Sequence, residues 1–257
     1  IKVKREDIEY PNDFVCDILV LVNSQRGDGI PVSKFTSDGS FPTGTTQYEK
    51  RGIAVKVPSW VKDNCIQYNQ YAFVCPHAVI RPYLLTEEEA AAAPKDTPLL
   101  NAINKGFENF KYKIQISPLD CTGCGSCADV CPAPKAKALV MKPFEDVIEK
   151  EEEQYEYLRK LLVRDNLMDK FSLKGSQFAQ PLFEFSGACA GCGETPYIKL
   201  VTQLFGERMI VANATGCSSI YGGSAPVCPY TFNKNGCGPA WANSLFEDNA
   251  EYGLGMY

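Results

Sequence analysis

No stretch of this sequence stays apolar for the ~18–20 residues a helix needs to cross a bilayer, so a helical membrane span is not expected. The opening Ile1-Lys2-Val3-Lys4-Arg5 leads into acidic sequence, not into an apolar signal core, and no initiator methionine stands there. At the other end, 251–257 shows neither a helix stop nor a polar tail, so both ends read as cuts through a longer protein. Positive charge is not in excess either. The 26 Lys and Arg against 31 Asp and Glu leave a net charge of -5, which speaks against nucleic acid as a partner. Self-similarity of solenoid length is missing, and histidine occurs once, at His77. What is there is otherwise ordinary: 45% hydrophobic and 22% charged residues suit a globular chain with one large domain or a few small ones.

Cysteine is the exception, at 12 residues. In a small secreted domain that number would suggest disulfides. In a chain of this size without a signal, clustered cysteines suggest metal or redox chemistry. All but Cys16 and Cys65 fall at 75, 121–131 and 189–237.

Along the chain, Phe14 to Val22 is a run of β-branched and aliphatic side chains that reads as a buried strand. Residues 23–50, rich in Gly, Pro, Ser and Thr, read as an irregular connection. Ile53 to Val57 alternates like a short strand. Thr86 to Ala93 reads as an exposed helix turn ended by Pro94. Pro143 opens the strongest helix signal, with Phe144, Val147, Ile148, Tyr155, Leu158, Leu161 and Leu162 near 3.6-residue spacing and Glu149–Glu153 as its solvated face. That helix is expected to bridge, across 143–180, to a new domain starting near 181.

The strongest motif is Cys121-Thr122-Gly123-Cys124-Gly125-Ser126-Cys127-Ala128-Asp129-Val130-Cys131-Pro132. It matches C-x2-C-x2-C-x3-C-P, the bacterial ferredoxin run that binds [4Fe–4S] clusters. Two-residue gaps let one tight loop aim three thiolates at three corners of a cube, and Gly123 and Gly125 let the backbone curl around it. The fourth cysteine points to the other cluster of a two-cluster module. A zinc ribbon would instead want two separated C-x2-C pairs.

A sister run exists in register, from Cys65 to Cys75-Pro76, but Tyr68 and Tyr71 stand where its second and third cysteines belong. By the crossover rule Cys75 joins Cys121, Cys124 and Cys127 in one complete site. The second site keeps Cys65 and Cys131 and gains two phenols, whose pKa of about 10 makes them poor substitutes for thiolates. It is expected to be empty or degenerate, with both tyrosine rings filling the vacated volume. His77 reads as a neighbour of the complete site, not as a ligand.

Cys189-Ala190-Gly191-Cys192, with Cys217 farther on, supplies three of four ligands. Zinc, a redox dithiol and a cluster all fit that set. Cys228 and Cys237 could complete it, but each reads more simply as an unliganded thiol. Gly27-Asp28-Gly29 imitates the start of a thiamine-diphosphate magnesium motif but lacks an Asn at the required distance.

Taken together, Pro42 to Gly52, the Cys-Pro-His-Ala segment at 75–78, the 121–132 run, Gly187 to Pro196, Asn213 to Gly223 and Gly238 to Asn249 resemble pyruvate:ferredoxin (flavodoxin) oxidoreductases. The resemblance implies an α+β chain: the end of a preceding domain and a linker (1–62), a bacterial two-cluster ferredoxin-like domain (63–142), a connecting helix (143–180) and the start of an α/β thiamine-diphosphate-binding domain (181–257). It implies oxidative decarboxylation of pyruvate with CoA to acetyl-CoA and CO2, electrons leaving through [4Fe–4S] clusters to ferredoxin or flavodoxin. A cytoplasmic or anaerobic-organelle homodimer using thiamine diphosphate and Mg2+ is implied for the full-length protein.

By the same resemblance Cys189, Cys192 and Cys217 match three ligands of the cluster nearest the thiamine, the fourth lying beyond Tyr257. Glu194 and Cys217 match residues lining the thiamine pocket. Tyr68, Tyr71, Cys228 and Cys237 depart from the family pattern. The competing readings are a free-standing ferredoxin-type carrier, for which 181–257 would have no use, and a decayed or zinc-bound scaffold.

Overall fold

The structure, a computed structural model, describes residues 13–257, so the reading of Ile1 to Arg5 lies outside it. The chain forms two compact units. One comprises residues 51–181 and 188–206; the other comprises, among described residues, 13–50, 182–187 and 207–257. The boundary expected near 181 is therefore not a single cut, because residues 188–206 return to the first unit.

Five strands build the first unit: β1 (Lys56–Trp60), β2 (Ile80–Leu85), β3 (Leu100–Asn101), β4 (Lys111–Ile116) and β5 (Leu139–Pro143). β1 pairs antiparallel with β5, Val57 opposite Lys142 and Trp60 opposite Leu139. The strand expected at 53–57 is thus displaced: Ile53 and Val55 are exposed, and pairing starts only where β5 supplies a partner. A second sheet runs in the order β2-β4-β3, with Ile80 opposite Ile116 and Leu84 opposite Tyr112. Pro82 is placed on the edge strand β2, the position where a missing N–H is tolerated.

β4 is buried on both faces. Tyr112, Ile114 and Ile116 enter the apolar core, while Lys113 and Gln115 point at the helix Ile148–Leu158. This corrects the reading of Glu149–Glu153 as a solvated face at Glu151; Glu149 and Glu153 are exposed as expected. Glu151 is buried, with Lys113 Nζ at 3.8 Å and the Gln115 amide donating to it at 2.8 Å. Burial pushes the Glu151 carboxyl up and pushes Lys113 down to about 8, each opposed by the other's charge. A charged pair survives inside because both members are satisfied. The helix itself buries Ile148, Glu151, Tyr155 and Leu158, the spacing of one helical face, and stops at Leu158. The connecting helix expected over 143–180 is therefore short, followed by irregular chain and the turn of helix Leu173–Ser176. The exposed turn after Thr86 is a helix, Glu87–Ala91, whose Thr86 and Glu89 form a capping box.

In the second unit the strand expected at 14–22 is helical, over Val15–Leu19 and Val20–Asn23. Val15, Ile18 and Leu19 are the buried positions, an i, i+3, i+4 pattern. A continuous apolar run satisfies either period, and here packing selects helix, a π-helical turn over Val15–Leu19 leading into an α-helical one. β6 (Ile210–Ala214) pairs parallel with β7 (Ala240–Ser244), and helix Cys217–Gly223 follows β6 directly. The side chains of Asn213, Ser219 and Asn243 lock strand, helix and strand, with Asn213 Nδ2 donating to Asn243 Oδ1 at 2.7 Å and Ser219 Oγ donating to it at 3.0 Å. Phe183, Tyr221, Tyr230 and Trp241 form an aromatic cluster beneath. The segment read as an irregular connection is pinned there: Thr45 Oγ1 donates to Pro226 O and Thr46 Oγ1 to Glu184 O, each at 2.9 Å. The chain as a whole is α+β, as expected.

Candidate metal centre

The two cysteine runs fold alike. In each, the second residue after the first cysteine is left-handed (Gln67 at φ 56°, Gly123 at φ 73°), and so is the fourth (Asn69 at 63°, Gly125 at 83°). In each, the second residue's N–H donates to the first cysteine's sulfur at 3.4 Å. A short helix then delivers the next cysteines, Gln70–Val74 ending at Cys75 and Ser126–Asp129 carrying Cys127. Glycine is required at 123 for a second reason: a Cβ there would stand 2.9 Å from the Lys56 carbonyl.

The crossed pairing follows from this duplication. Cys75, Cys121, Cys124 and Cys127 line one pocket, together with Pro58, His77, Ile80 and Met141. Among the described residues no three His, Cys, Asp or Glu stand close enough to clasp one metal ion. Four thiols lining one volume suit the polynuclear cluster that the Cys121–Cys131 spacing leads one to expect. Burial, followed by the charge of its cysteine neighbours Cys75 and Cys124, pushes Cys121 up to about 12 against the Gly123 N–H. Burial and Cys75, Cys121 and Cys124 push Cys127 up as well. Such a nest cannot hold several thiolates without a strong positive charge among them, which is what bound iron supplies.

The sister site is different. Tyr71 is buried, but Tyr68 is 53% exposed, so the expectation that both rings fill the gap is half wrong. The second occupant is Tyr112 of β4, which sequence spacing gave no reason to suspect. The Tyr71 and Tyr112 hydroxyls contact each other and both donate to Asn69 Oδ1, at 3.0 and 2.6 Å. Asn69 Nδ2 donates to Lys174 O at 3.1 Å. Burial pushes both phenols well above their ordinary range, so neither is available as a phenolate. Cys65 and Cys131 border this knot. The Cys65 thiol is held up by burial, opposed by the Gln67 N–H, and Cys131 accepts from the Ala138 N–H at 3.2 Å. Hydrogen bonds offset the left-handed strain at two non-glycine positions: besides those of Asn69, the Gln67 amide donates to Asn101 O and accepts from Ile103 N, both at 2.8 Å.

Cys189 and Cys192 close a tight turn, Cys192 N donating to Cys189 O at 3.0 Å, ahead of helix Thr195–Phe205. Within the first unit this turn lies on the cluster loop: a Cβ at Gly191 would stand 3.6 Å from Cys124 Cβ. Glu194 is exposed at the start of that helix. Cys217 begins the helix after β6, in the other unit. Cys228 is a buried core thiol pointing at the carbonyls of Gly222 and Tyr230, and Cys237 sits exposed in a turn.

Residues 114–133 match a family described as a 4Fe-4S binding domain, and residues 3–54 match a domain of unknown function. Over 95% of its length the chain is 61% identical to a pyruvate:ferredoxin oxidoreductase of Moorella thermoacetica, of which it covers 21%. It is 60% identical to a pyruvate-flavodoxin oxidoreductase of Enterobacter agglomerans and 57% identical to one of Klebsiella pneumoniae, again over 95% of the chain and 20% and 21% of those proteins. The chain spans about a fifth of the length of these relatives. Across nearly all of its residues, then, it matches one segment of the pyruvate:ferredoxin and pyruvate-flavodoxin oxidoreductases.

Proposed function

We propose that this chain is the electron-transfer section of an enzyme that oxidatively decarboxylates pyruvate with CoA, giving acetyl-CoA and CO2, and hands electrons to ferredoxin or flavodoxin. The observation that carries the reading is the pocket lined by Cys75, Cys121, Cys124 and Cys127. A [4Fe–4S] cluster held there supplies one-electron chemistry at low potential. The chain's own residues bind it through four thiolates, exclude water with Pro58, Ile80 and Met141, and curl N–H groups toward sulfur at Gly123.

Residues 63–142 form the ferredoxin-like part of this assignment, with one cluster in place of two. Cys189 and Cys192 supply thiolates to a further cluster, with Cys217 a third ligand by family resemblance alone. The Cys189–Cys192 turn touches the Cys124 loop at Gly191, so a cluster held by that turn would stand close enough to the Cys124 site to pass it electrons. Residues 207–257, with the parallel β6–β7 pair and its intervening helix, begin the thiamine-diphosphate domain, to which Cys217 contributes. The full-length enzyme works as a homodimer with thiamine diphosphate and Mg2+, in the cytoplasm or an anaerobic organelle. No described helix is long and apolar enough to cross a membrane.

The test is anaerobic reconstitution of the chain with iron and sulfide. The reading expects a cubane with a reduced-state EPR signal that depends on all four thiols at 75, 121, 124 and 127. A chain that takes up zinc but no sulfide would refute it.

A further inference from the structure

Lys199 is a buried cation that the electron-transfer reading leaves without a role. It sits on helix Thr195–Phe205 at 2% exposure, and its ammonium donates to the carbonyls of Ala72 and, at 3.2 Å, Phe73. Those carbonyls close the helix Gln70–Val74, whose next residue is the cluster thiol Cys75; the Cys75 N–H shares the Ala72 carbonyl at 3.3 Å. Burial pushes Lys199 down to about 8, Cys75 pulls it back up, and Arg81 pushes it further down. No carboxylate of the described residues stands within ion-pair distance of it.

A buried ammonium held by carbonyl dipoles, with the like charge of Arg81 also acting on it, is costly unless an anion joins it. A cubane with four thiolates is net anionic in both oxidation states, and gains one further negative charge on reduction. The cation therefore favours the reduced state more than the oxidised one. Lys199 also ties together the two places where electrons must meet. Its helix starts three residues after Cys192, whose turn touches the Cys124 loop at Gly191.

We propose that Lys199 is the internal counter-charge of the Cys75/Cys121/Cys124/Cys127 cluster: a positioning residue that raises the cluster's reduction potential and fixes the Cys189–Cys192 turn against it. The proposal rests on the cluster assignment above but fails separately from it. The experiment is an EPR-monitored redox titration of the whole chain, reconstituted anaerobically, as wild type, Lys199→Met and Lys199→Arg.

Lys199→Met should shift the one-electron equilibrium at least tenfold toward the oxidised cluster, about 59 mV lower, at unchanged iron content. Lys199→Arg should stay near wild type. Should the Met variant lose its cluster, retention in the Arg variant supports the charge, and loss in both overturns it. A wild-type potential in Lys199→Met, or equal shifts in Met and Arg, likewise overturns the proposal. A wild-type chain that binds no cluster would instead remove the assignment on which it rests.

Discussion

Replacing Tyr68 and Tyr71 together by cysteine should rebuild the second cubane, and the structure gives the two substitutions very different costs. Tyr68 is solvent-exposed, so its change lies within about 0.5 kcal/mol. Tyr71 is 4% exposed and bonded to both Asn69 and Tyr112. Removing a buried aromatic ring costs about 3–5 kcal/mol, or roughly 6–20 °C in Tm at about 2–4 °C per kcal/mol. The metal-free double variant should therefore melt well below the parent. Anaerobic reconstitution should then add about four irons and four sulfides per chain and recover the lost Tm, because the cluster occupies the volume the ring left. Tyr71→Phe, which keeps the ring and deletes the hydroxyl, should cost about 1–2 kcal/mol and add no iron. The measurements are iron and sulfide content with thermal melts in both states. A folded double variant that takes up no further iron would refute the idea that Tyr71 closes the site. So would a second cubane already present in the unmodified chain.

Other outcomes follow from the same geometry. Cys124→Ser opens one corner of the complete site and should lose the cluster or leave a three-iron form; an unchanged reduced-state EPR spectrum would contradict the ligand set. The chain spans about a fifth of the length of its oxidoreductase relatives, so pyruvate-dependent viologen reduction is not expected from these 257 residues alone. Lys113 has its folded pKa depressed from 10.5 to about 8, so the unfolded chain binds that proton more tightly. Its contribution to stability should rise with pH between about 8 and 10.5. The stability difference between wild type and Lys113→Met, followed by denaturant titration across that window, should grow by about 3 kcal/mol. A flat difference would show that Lys113 is not protonated and buried at neutral pH.

That Cys75 shares one pocket with Cys121, Cys124 and Cys127 was legible in the sequence: one loop places three thiols, and the crossover rule brings in the fourth. So was the sister run, since Gln67 and Asn69 hold the left-handed backbone that Gly123 and Gly125 hold in the other run. The capping box at Thr86 and the helical face from Ile148 are equally local. Contacts across long sequence separations were not legible. Phe14 to Val22 carries no period of its own, and packing made it helix. Tyr68 and Tyr71 are alike as letters, yet the turn points one outward and the other at Tyr112, a residue on a strand more than 40 positions away. Glu151 reads as surface until Lys113 and Gln115 of β4 appear beneath it. Lys199 carries no motif at all; only the return of residues 188–206 to the first unit sets its charge on the Ala72 and Phe73 carbonyls that precede Cys75. Spacing along the chain can specify which atoms one loop presents to a metal, but only tertiary packing decides which distant charge or ring shares their low-dielectric surroundings.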